Sequence, residues 1–169
     1  MPSPVAHFLA GLTVHVATAP ASDVGWRRRT AITVAAAIAP DLDLLLKPLG
    51  LAVHQGASHS VGAALVAGAI AWIATRRPRW GLTVTLTWAS HILLDWMSND
   101  TRPPMGVMAL WPLTHDYYKS SIELLPAVSR RYWLAEFWVY NLKAVAVELV
   151  ILGPIAAFVV WLRLRGKAQ

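Results

Sequence analysis

The sequence predicts an all-α membrane protein, a helical bundle with about five transmembrane helices that forms one domain over residues 1–169. Three observations favour this fold class: the composition, the tryptophan content and the length of the apolar runs. Hydrophobic residues make up 56% of the chain and charged residues 14%, and the mean hydropathy is +0.48. A soluble domain carries roughly 25% charged residues, so disorder and an ordinary water-soluble globule are excluded. Nine tryptophans are typical of a chain with membrane interfaces.

Five apolar stretches approach the roughly 17–25 residues that cross a bilayer as a helix. The first follows Pro4 without a preceding basic segment, so no cleaved signal peptide is predicted. The second should kink or break at Pro40, because proline lacks a backbone N–H and disfavours helix at the residue before it. The stretches are residues 5–22, 30–46, 58–75, 80–97 and 144–162.

The third stretch begins with Ser58, a residue type that favours the N-cap position of a helix, and Gly56 supplies the freedom for a turn before it. Residues 98–143 between the fourth and fifth stretches are too polar to span a membrane. They are predicted to form an outer-face loop with an interfacial helix around residues 130–140.

The cations predict the orientation. Of the 15 lysines and arginines, nine lie at 27–29, 76–79 and 163–167, places that share one membrane face if there are five crossings. The positive-inside rule then puts the N-terminus outside and the C-terminus in the cytoplasm, although Arg130 and Arg131 in the outer loop go against it. A net charge of +6 can indicate nucleic-acid binding, but cations that flank apolar helices favour membrane lipids as partners and no nucleic acid.

Most histidines and acids fall on the predicted outer face. His91 and Asp95 are four residues apart, so they project from one face of a helix and can bind one divalent ion. The alternative is a hydrogen bond that only satisfies two buried polar groups. Asp41 and Asp43 share no face of a regular helix and would converge only on an irregular backbone at Pro40. Their alternative is a solvated helix end.

His54 and His59 lie five apart around Gly56, and a turn would let them converge on the same region. His15 is interpreted as a packed core histidine, and Glu148 as an interhelical hydrogen-bonding group rather than a proton relay. The chain has no cysteine, so Cys-type zinc sites are excluded. The candidate metal ligands are His7, Asp41, Asp43, His54, His59, His91 and Asp95.

Seven ligands exceed the four of one tetrahedral zinc, so either two ions bind or some residues support the others. The expected metal is Zn²⁺, as one or two ions, with Mn²⁺ as a possibility. Asp41 or Asp43 could bridge metals or act as the general base, with Asp43 favoured because it lies further past the break. Whether Gln55 and His115 take part is left open.

Several motifs in this order resemble one family. It comprises the YdjM-like membrane-bound metal-dependent hydrolases of the bacterial inner membrane, and Gln55 stands where that family is expected to have arginine. The resemblance implies remote similarity to zinc-dependent phospholipase C and P1-type nucleases. It thereby implies hydrolysis of a phosphoester in an amphipathic substrate, such as a phospholipid or lipid-linked phosphate. The matching motifs are PVAH at 4–7, PDLD at 40–43, HQGASHS at 54–60, HILLD at 91–95 and LWPL at 110–113.

Two functions from other classes compete with hydrolysis. A metal or proton transporter needs polar groups through the bilayer, and only His15 and Glu148 are predicted to lie deep. A haem-binding membrane protein could use His15 and His91 as axial ligands, but it would leave the aspartates unexplained.

Overall fold

The computed structural model describes residues 1–18, 26–50, 54–101 and 103–166, and every regular element within them is helical. This confirms the all-α prediction. Two isolated β-bridges, Ser98 to Leu125 and Val107 to Tyr118, occur in the long loop. The five α-helices are α1 (Pro4–Thr18), α2 (Trp26–Ile38), α3 (Val61–Thr75), α4 (Pro78–Trp96) and α5 (Glu136–Arg165), and two 3₁₀ segments cover Ala39–Leu49 and Ala57–His59.

The predicted break at Pro40 is confirmed. Helix α2 ends at Ile38, and the chain continues as the first 3₁₀ segment, which is wound more tightly than an α-helix and is unusually long for its type. The predicted end of the first helix at residue 22 lies outside the described residues, as do Arg102 and Lys167 among the cations.

Two local predictions are wrong. The N-cap of α3 is Ser60, whose hydroxyl accepts a hydrogen bond from the backbone N–H of Ala63 at 3.0 Å, whereas Ser58 lies inside the second 3₁₀ segment. The predicted interfacial helix at 130–140 does not form as a separate element. Residues 130–135 are irregular, and α5 begins at Glu136 and runs for 30 residues, because no helix breaker separates 136–143 from the apolar stretch that follows.

Helix α1 packs against α2, α4 and α5, and α4 also packs against α2 and α3. The approach of α1 to α2 is close because of Gly11. A Cβ placed on Gly11 would lie 2.4 Å from the Cβ of Ala37. This close approach of α1 and α2 places the end of α2 beside α4. The first 3₁₀ segment, which follows α2, also contacts α4.

Among the described helices, α5 alone is long and apolar enough to cross a membrane. Helices α1 and α3 are also apolar, but each has 15 residues, or about 22 Å at 1.5 Å per residue, against about 30 Å of hydrocarbon. The prediction of about five spans is therefore not confirmed.

Candidate metal centre

Four side chains meet where the two 3₁₀ segments contact α4. Asp41 comes from the first segment, His59 from the second, and His91 and Asp95 from adjacent turns of α4. One ligand atom from each of the four lies within 4.8 Å of the others. We call these four residues the metal cluster.

The spacing of the four atoms matches a small tetrahedral cation. Nε2 of His59 lies 3.1 Å from Nε2 of His91 and 3.2 Å from Oδ2 of Asp95. Nε2 of His91 lies 3.3 Å from the same Asp95 oxygen. Oδ1 of Asp41 lies 3.6 and 3.7 Å from the two nitrogens. Ligand atoms about 2.0–2.1 Å from a tetrahedral zinc are about 3.3–3.4 Å apart, so these distances suit zinc.

Hydrogen bonds outside the cluster turn the correct nitrogen of each histidine inward. Nδ1–H of His91 donates to the carbonyl oxygen of Ala37 at 2.7 Å. Nδ1 of His59 lies 3.0 Å from the hydroxyl of Ser58, which donates to Oδ2 of Asp43 at 2.9 Å. A neutral imidazole with its proton on Nδ1 presents a lone pair at Nε2, which is the form that a metal requires.

The cluster has a charge and hydrogen-bonding deficit that a cation would relieve. His59, His91 and Asp95 are fully buried, and neither carboxylate oxygen of Asp95 has a hydrogen-bond partner among the residues that the structure describes. Buried carboxylates without hydrogen bonds are costly, and two imidazole nitrogens 3.1 Å apart avoid lone-pair repulsion only when a proton or a cation lies between them. The donor set and its unsatisfied atoms therefore fit a divalent metal ion.

The same geometry affects the protonation of His59 when no metal is bound. Burial lowers the pKa of His59, but the negative charges of Asp41 and Asp95, whose oxygens lie 3.6 and 3.2 Å from its Nε2, outweigh burial and raise the pKa to about 9. A proton on His59 then supplies part of the positive charge that the two carboxylates need.

His7 lies beside the cluster. Its ring stacks on the His91 ring with 3.8 Å between centroids, and its Nε2 lies 3.5 Å from Oδ1 of Asp95. Both ring nitrogens of His7 are buried, and no described residue forms a hydrogen bond with either of them. His7 therefore faces the Asp95 oxygen that the other ligands do not approach.

Asp43 and His54 form a pair on the opposite side of His59. Nδ1–H of His54 donates to Oδ1 of Asp43 at 2.8 Å, while Oδ2 of Asp43 accepts from Ser58. Asp43, His54 and His59 are close enough to hold a second ion. Because their facing atoms are already hydrogen-bonded, this group has less need of a cation than the metal cluster. The two aspartates thus do not converge on one point but lie at opposite nitrogens of His59.

A cavity of about 480 Å³ opens beside this pair. Asp43 and His54 line it together with Gln55 and Arg130, and the first turns of α5 contribute Phe137 and Tyr140. Sequence reasoning did not assign Arg130 a role, although its position against the positive-inside rule was a signal. The carbonyl of Ala37 could not be found that way, because a backbone group carries no sequence signal.

The remaining candidates lie away from the metal cluster. His15 is buried, with its ring nitrogens 3.1 Å and 3.0 Å from the hydroxyls of Thr33 and Thr30, as a core histidine should be. Glu148 is buried and accepts hydrogen bonds from the backbone N–H of Ser3 at 2.6 Å and from its hydroxyl. His115 is exposed and belongs to neither metal-binding group.

Comparison with known proteins identifies the family of the chain. The family model described as YdjM inner membrane protein matches residues 1–167. Neither the curated proteins nor the solved structures that were compared with the chain gave a match. The matched range extends over nearly the whole sequence and includes both groups of metal-binding side chains. The chain therefore belongs to the YdjM family of inner membrane proteins.

Proposed function

We propose that this membrane protein is a metal-dependent hydrolase that cleaves a phosphoester bond in a lipid or lipid-linked substrate. The tetrahedral spacing of the metal cluster is the observation that carries the proposal. The cavity beside Asp43 and His54 supports the substrate class, because arginines as well as apolar and aromatic side chains line it. In an amphipathic phosphoester, the anionic phosphate would contact the arginines and the apolar part would contact the apolar and aromatic side chains.

The proposed metal is one Zn²⁺ ion. Two imidazole nitrogens and two carboxylate oxygens suit zinc, whereas Mn²⁺ prefers a larger set of oxygen ligands. The side chain of Asp41 is 15% exposed while His59, His91 and Asp95 are 0% exposed, so the cluster is open on the Asp41 side. When bound, a zinc ion polarises a phosphoryl oxygen and lowers the pKa of water.

The Asp43–His54 pair is the proposed acid–base group. The sequence favours Asp43 itself as the base, but both of its oxygens already accept hydrogen bonds from His54 and Ser58. Nδ1 of His54 is held by Asp43, and Nε2 lies 3.2 Å from the guanidinium of Arg130, so Nε2 becomes available to a substrate proton when a bound anion draws Arg130 away. We therefore assign proton transfer to His54 and assign Asp43 the task of fixing the His54 tautomer, as carboxylates do for catalytic histidines.

The proposed location is the inner membrane with several crossings, the N-terminus outside and the C-terminus in the cytoplasm. Helix α5 supplies one crossing. Arginines at both ends of the α3–α4 connection and at the end of α5 support the orientation. Helices α1 and α3 are too short for a bilayer of ordinary thickness. They would cross where the bilayer is thinner, or where α4 and α5 shield their polar ends from lipid.

Haem binding and transport receive less support from the geometry. Both ring nitrogens of His15 face threonine hydroxyls, so His15 is not placed to act as an axial ligand opposite His91. Glu148, the other deep polar group, is engaged by Ser3. An absorption spectrum of the purified protein distinguishes haem from zinc at once.

Element analysis and turnover of the detergent-purified full-length protein test the proposal. We expect about one equivalent of zinc, hydrolysis of a phosphodiester or phospholipid, and loss of both in His91→Ala. His115→Ala is the matched control, because it removes an exposed imidazole outside the cluster and should change neither. Metal-free wild-type protein, purified without chelators, would contradict the proposal.

A further inference from the structure

The cavity beside the Asp43–His54 pair contains a cation that pairs with no carboxylate in the described part of the chain. Arg130 is half-buried, and its guanidinium contacts Nε2 of His54 at 3.2 Å and the thioether sulfur of Met1. Among the described residues, no carboxylate oxygen lies within 4.0 Å of it. Both contacts are to neutral acceptors, so Arg130 keeps its capacity for a charge-assisted hydrogen bond with an anion.

A second donor lines the same cavity. Gln55 is 5% exposed, and its side-chain Nε2 is buried without a hydrogen-bond partner within the described ranges of the chain. Its backbone has φ of 61°, a conformation that residues other than glycine rarely adopt, and its carbonyl accepts from the N–H of Met108 at 3.0 Å. An unpaired buried amide held in a strained conformation indicates a position kept for binding.

The acids that line the cavity do not oppose an anion strongly. Asp43 is hydrogen-bonded to His54 and Ser58, and Asp100 accepts from the backbone N–H of Gly106 at 3.1 Å. Glu136 is exposed on the first turn of α5, where the helix dipole favours a negative charge. Arg130 and the Gln55 amide therefore remain available as donors in the cavity, together with the more exposed Arg131.

The apolar part of the cavity lies where α5 begins. Phe137 and Tyr140 on α5 line it together with Leu44 and Leu134. Exposed aromatic residues surround this end of α5, as they do where membrane helices meet the lipid headgroups. An alkyl chain could therefore lie along α5 while its polar head enters the cavity.

We propose that this cavity binds the phosphate group of a membrane amphiphile, with Arg130 and the Gln55 amide as donors and the start of α5 as the contact for the alkyl chain. That the bound molecule is the substrate rests on the proposed hydrolase activity. Binding itself does not, because neither donor belongs to the metal cluster. The position of Arg130 against the positive-inside rule then has a functional reason.

Binding of dodecyl phosphate to the full-length protein in neutral maltoside detergent tests the proposal. The metal is first removed, so that the cluster does not bind the phosphate, and affinity is measured by calorimetry. We expect saturable binding that weakens at least tenfold in Arg130→Gln and several-fold in Gln55→Met, while Arg130→Lys keeps most of the affinity. Arg79→Gln removes an exposed cation on α4 and should match the wild type, which controls for adsorption to the micelle.

Two results would overturn the proposal. One is an affinity for dodecyl phosphate that is unchanged in both Arg130→Gln and Gln55→Met, provided that the variants keep their helical content and gel-filtration volume. The other is equally tight binding of inorganic phosphate, which would assign the cavity to the free ion. Arg130-dependent binding in a protein without turnover would support the cavity and contradict the hydrolase. Turnover without Arg130-dependent binding would support the hydrolase and contradict the proposed phosphate site.

Discussion

At the scale of single residues, the two ring nitrogens of His59 face two different groups of side chains. Nε2 faces the metal cluster, while Nδ1 faces Ser58 and, through it, Asp43. Asp41 is on the first side and Asp43 on the second, although only one residue separates them. Two neighbouring carboxylates should therefore differ in what their loss does to the protein.

Asparagine substitutions test this separation. Asp41→Asn should lower zinc occupancy, with partial recovery of activity on adding zinc, because an amide is a weak ligand without negative charge. Asp43→Asn should keep most of the zinc and lower turnover by roughly 10²–10⁴-fold, the usual contribution of acid–base catalysis. Element analysis and turnover measured on the same samples check both expectations.

The control is Asp116→Asn, which alters an exposed carboxylate in the long loop. If Asp43 acts through His54, the double variant with His54→Gln should be no slower than either single variant, because residues that act as a unit are not additive. Full zinc occupancy and full activity in both Asp41→Asn and Asp43→Asn would show that neither aspartate has a role in metal binding or catalysis. The alternative of a solvated helix end would then hold.

The pKa of His59 predicts how zinc affinity depends on pH. In the folded, metal-free protein this pKa is about 9, above the ordinary value of 6.5, so His59 is protonated at pH 7. Zinc must displace that proton, and its apparent affinity should rise by about tenfold per pH unit from pH 7 and level off near pH 9. Competition with a chelator at several pH values measures it. A constant affinity across this range would contradict the prediction.

The linked effect on folding has a definite sign. A histidine whose pKa is raised by folding stabilises the metal-free protein fully below pH 6.5, and this stabilisation is lost as the pH rises through about 9. Metal-free protein should therefore melt at lower temperature at pH 9 than at pH 7, and zinc should remove most of that difference.

At the scale of elements, local features were predictable and long-range contacts were not. Pro40 acts on its own backbone, and His91 and Asp95 share a helix face by spacing alone, so both could be read from the sequence. The choice between Ser58 and Ser60 as N-cap could not, because Ser58 is engaged by Asp43, 15 residues away. The contact of Arg130 with His54 bridges 76 positions, which no periodicity encodes.

The contact between α1 and α2 gives a prediction at this scale. Gly11→Ala should clash with Ala37, whose carbonyl orients His91, and should lower both melting temperature and zinc affinity. Overpacking of this kind costs about 1–3 kcal/mol. Gly153→Ala on α5 is the matched control, since a Cβ there meets no atom within 4 Å and alanine favours helix. Equal melting temperatures for the two variants would argue against a tight α1–α2 contact.

At the scale of the whole molecule, the charge distribution predicts which side the cluster faces. A reporter fused to the C-terminus should be cytoplasmic, and a tag inserted at residues 113–116, where Leu113 is 89% exposed, should be accessible from outside. Labelling of intact cells measures both positions. The reverse pattern would place the cluster and its cavity on the cytoplasmic side, where a different set of lipids is available.

The origin of the four cluster ligands in three separate elements has a consequence for how the protein matures. His59 and His91 are 32 positions apart, and Asp41 precedes them from a segment with little α-helical support of its own. A zinc ion bound there would cross-link the chain and close these loops, as a disulfide would in a chain that had cysteines. The ion would be captured only after both 3₁₀ segments had docked on α4. The zinc content of a preparation would then measure the fraction of correctly folded molecules. A protease should cut metal-free chains at residues 39–59 faster than zinc-bound chains.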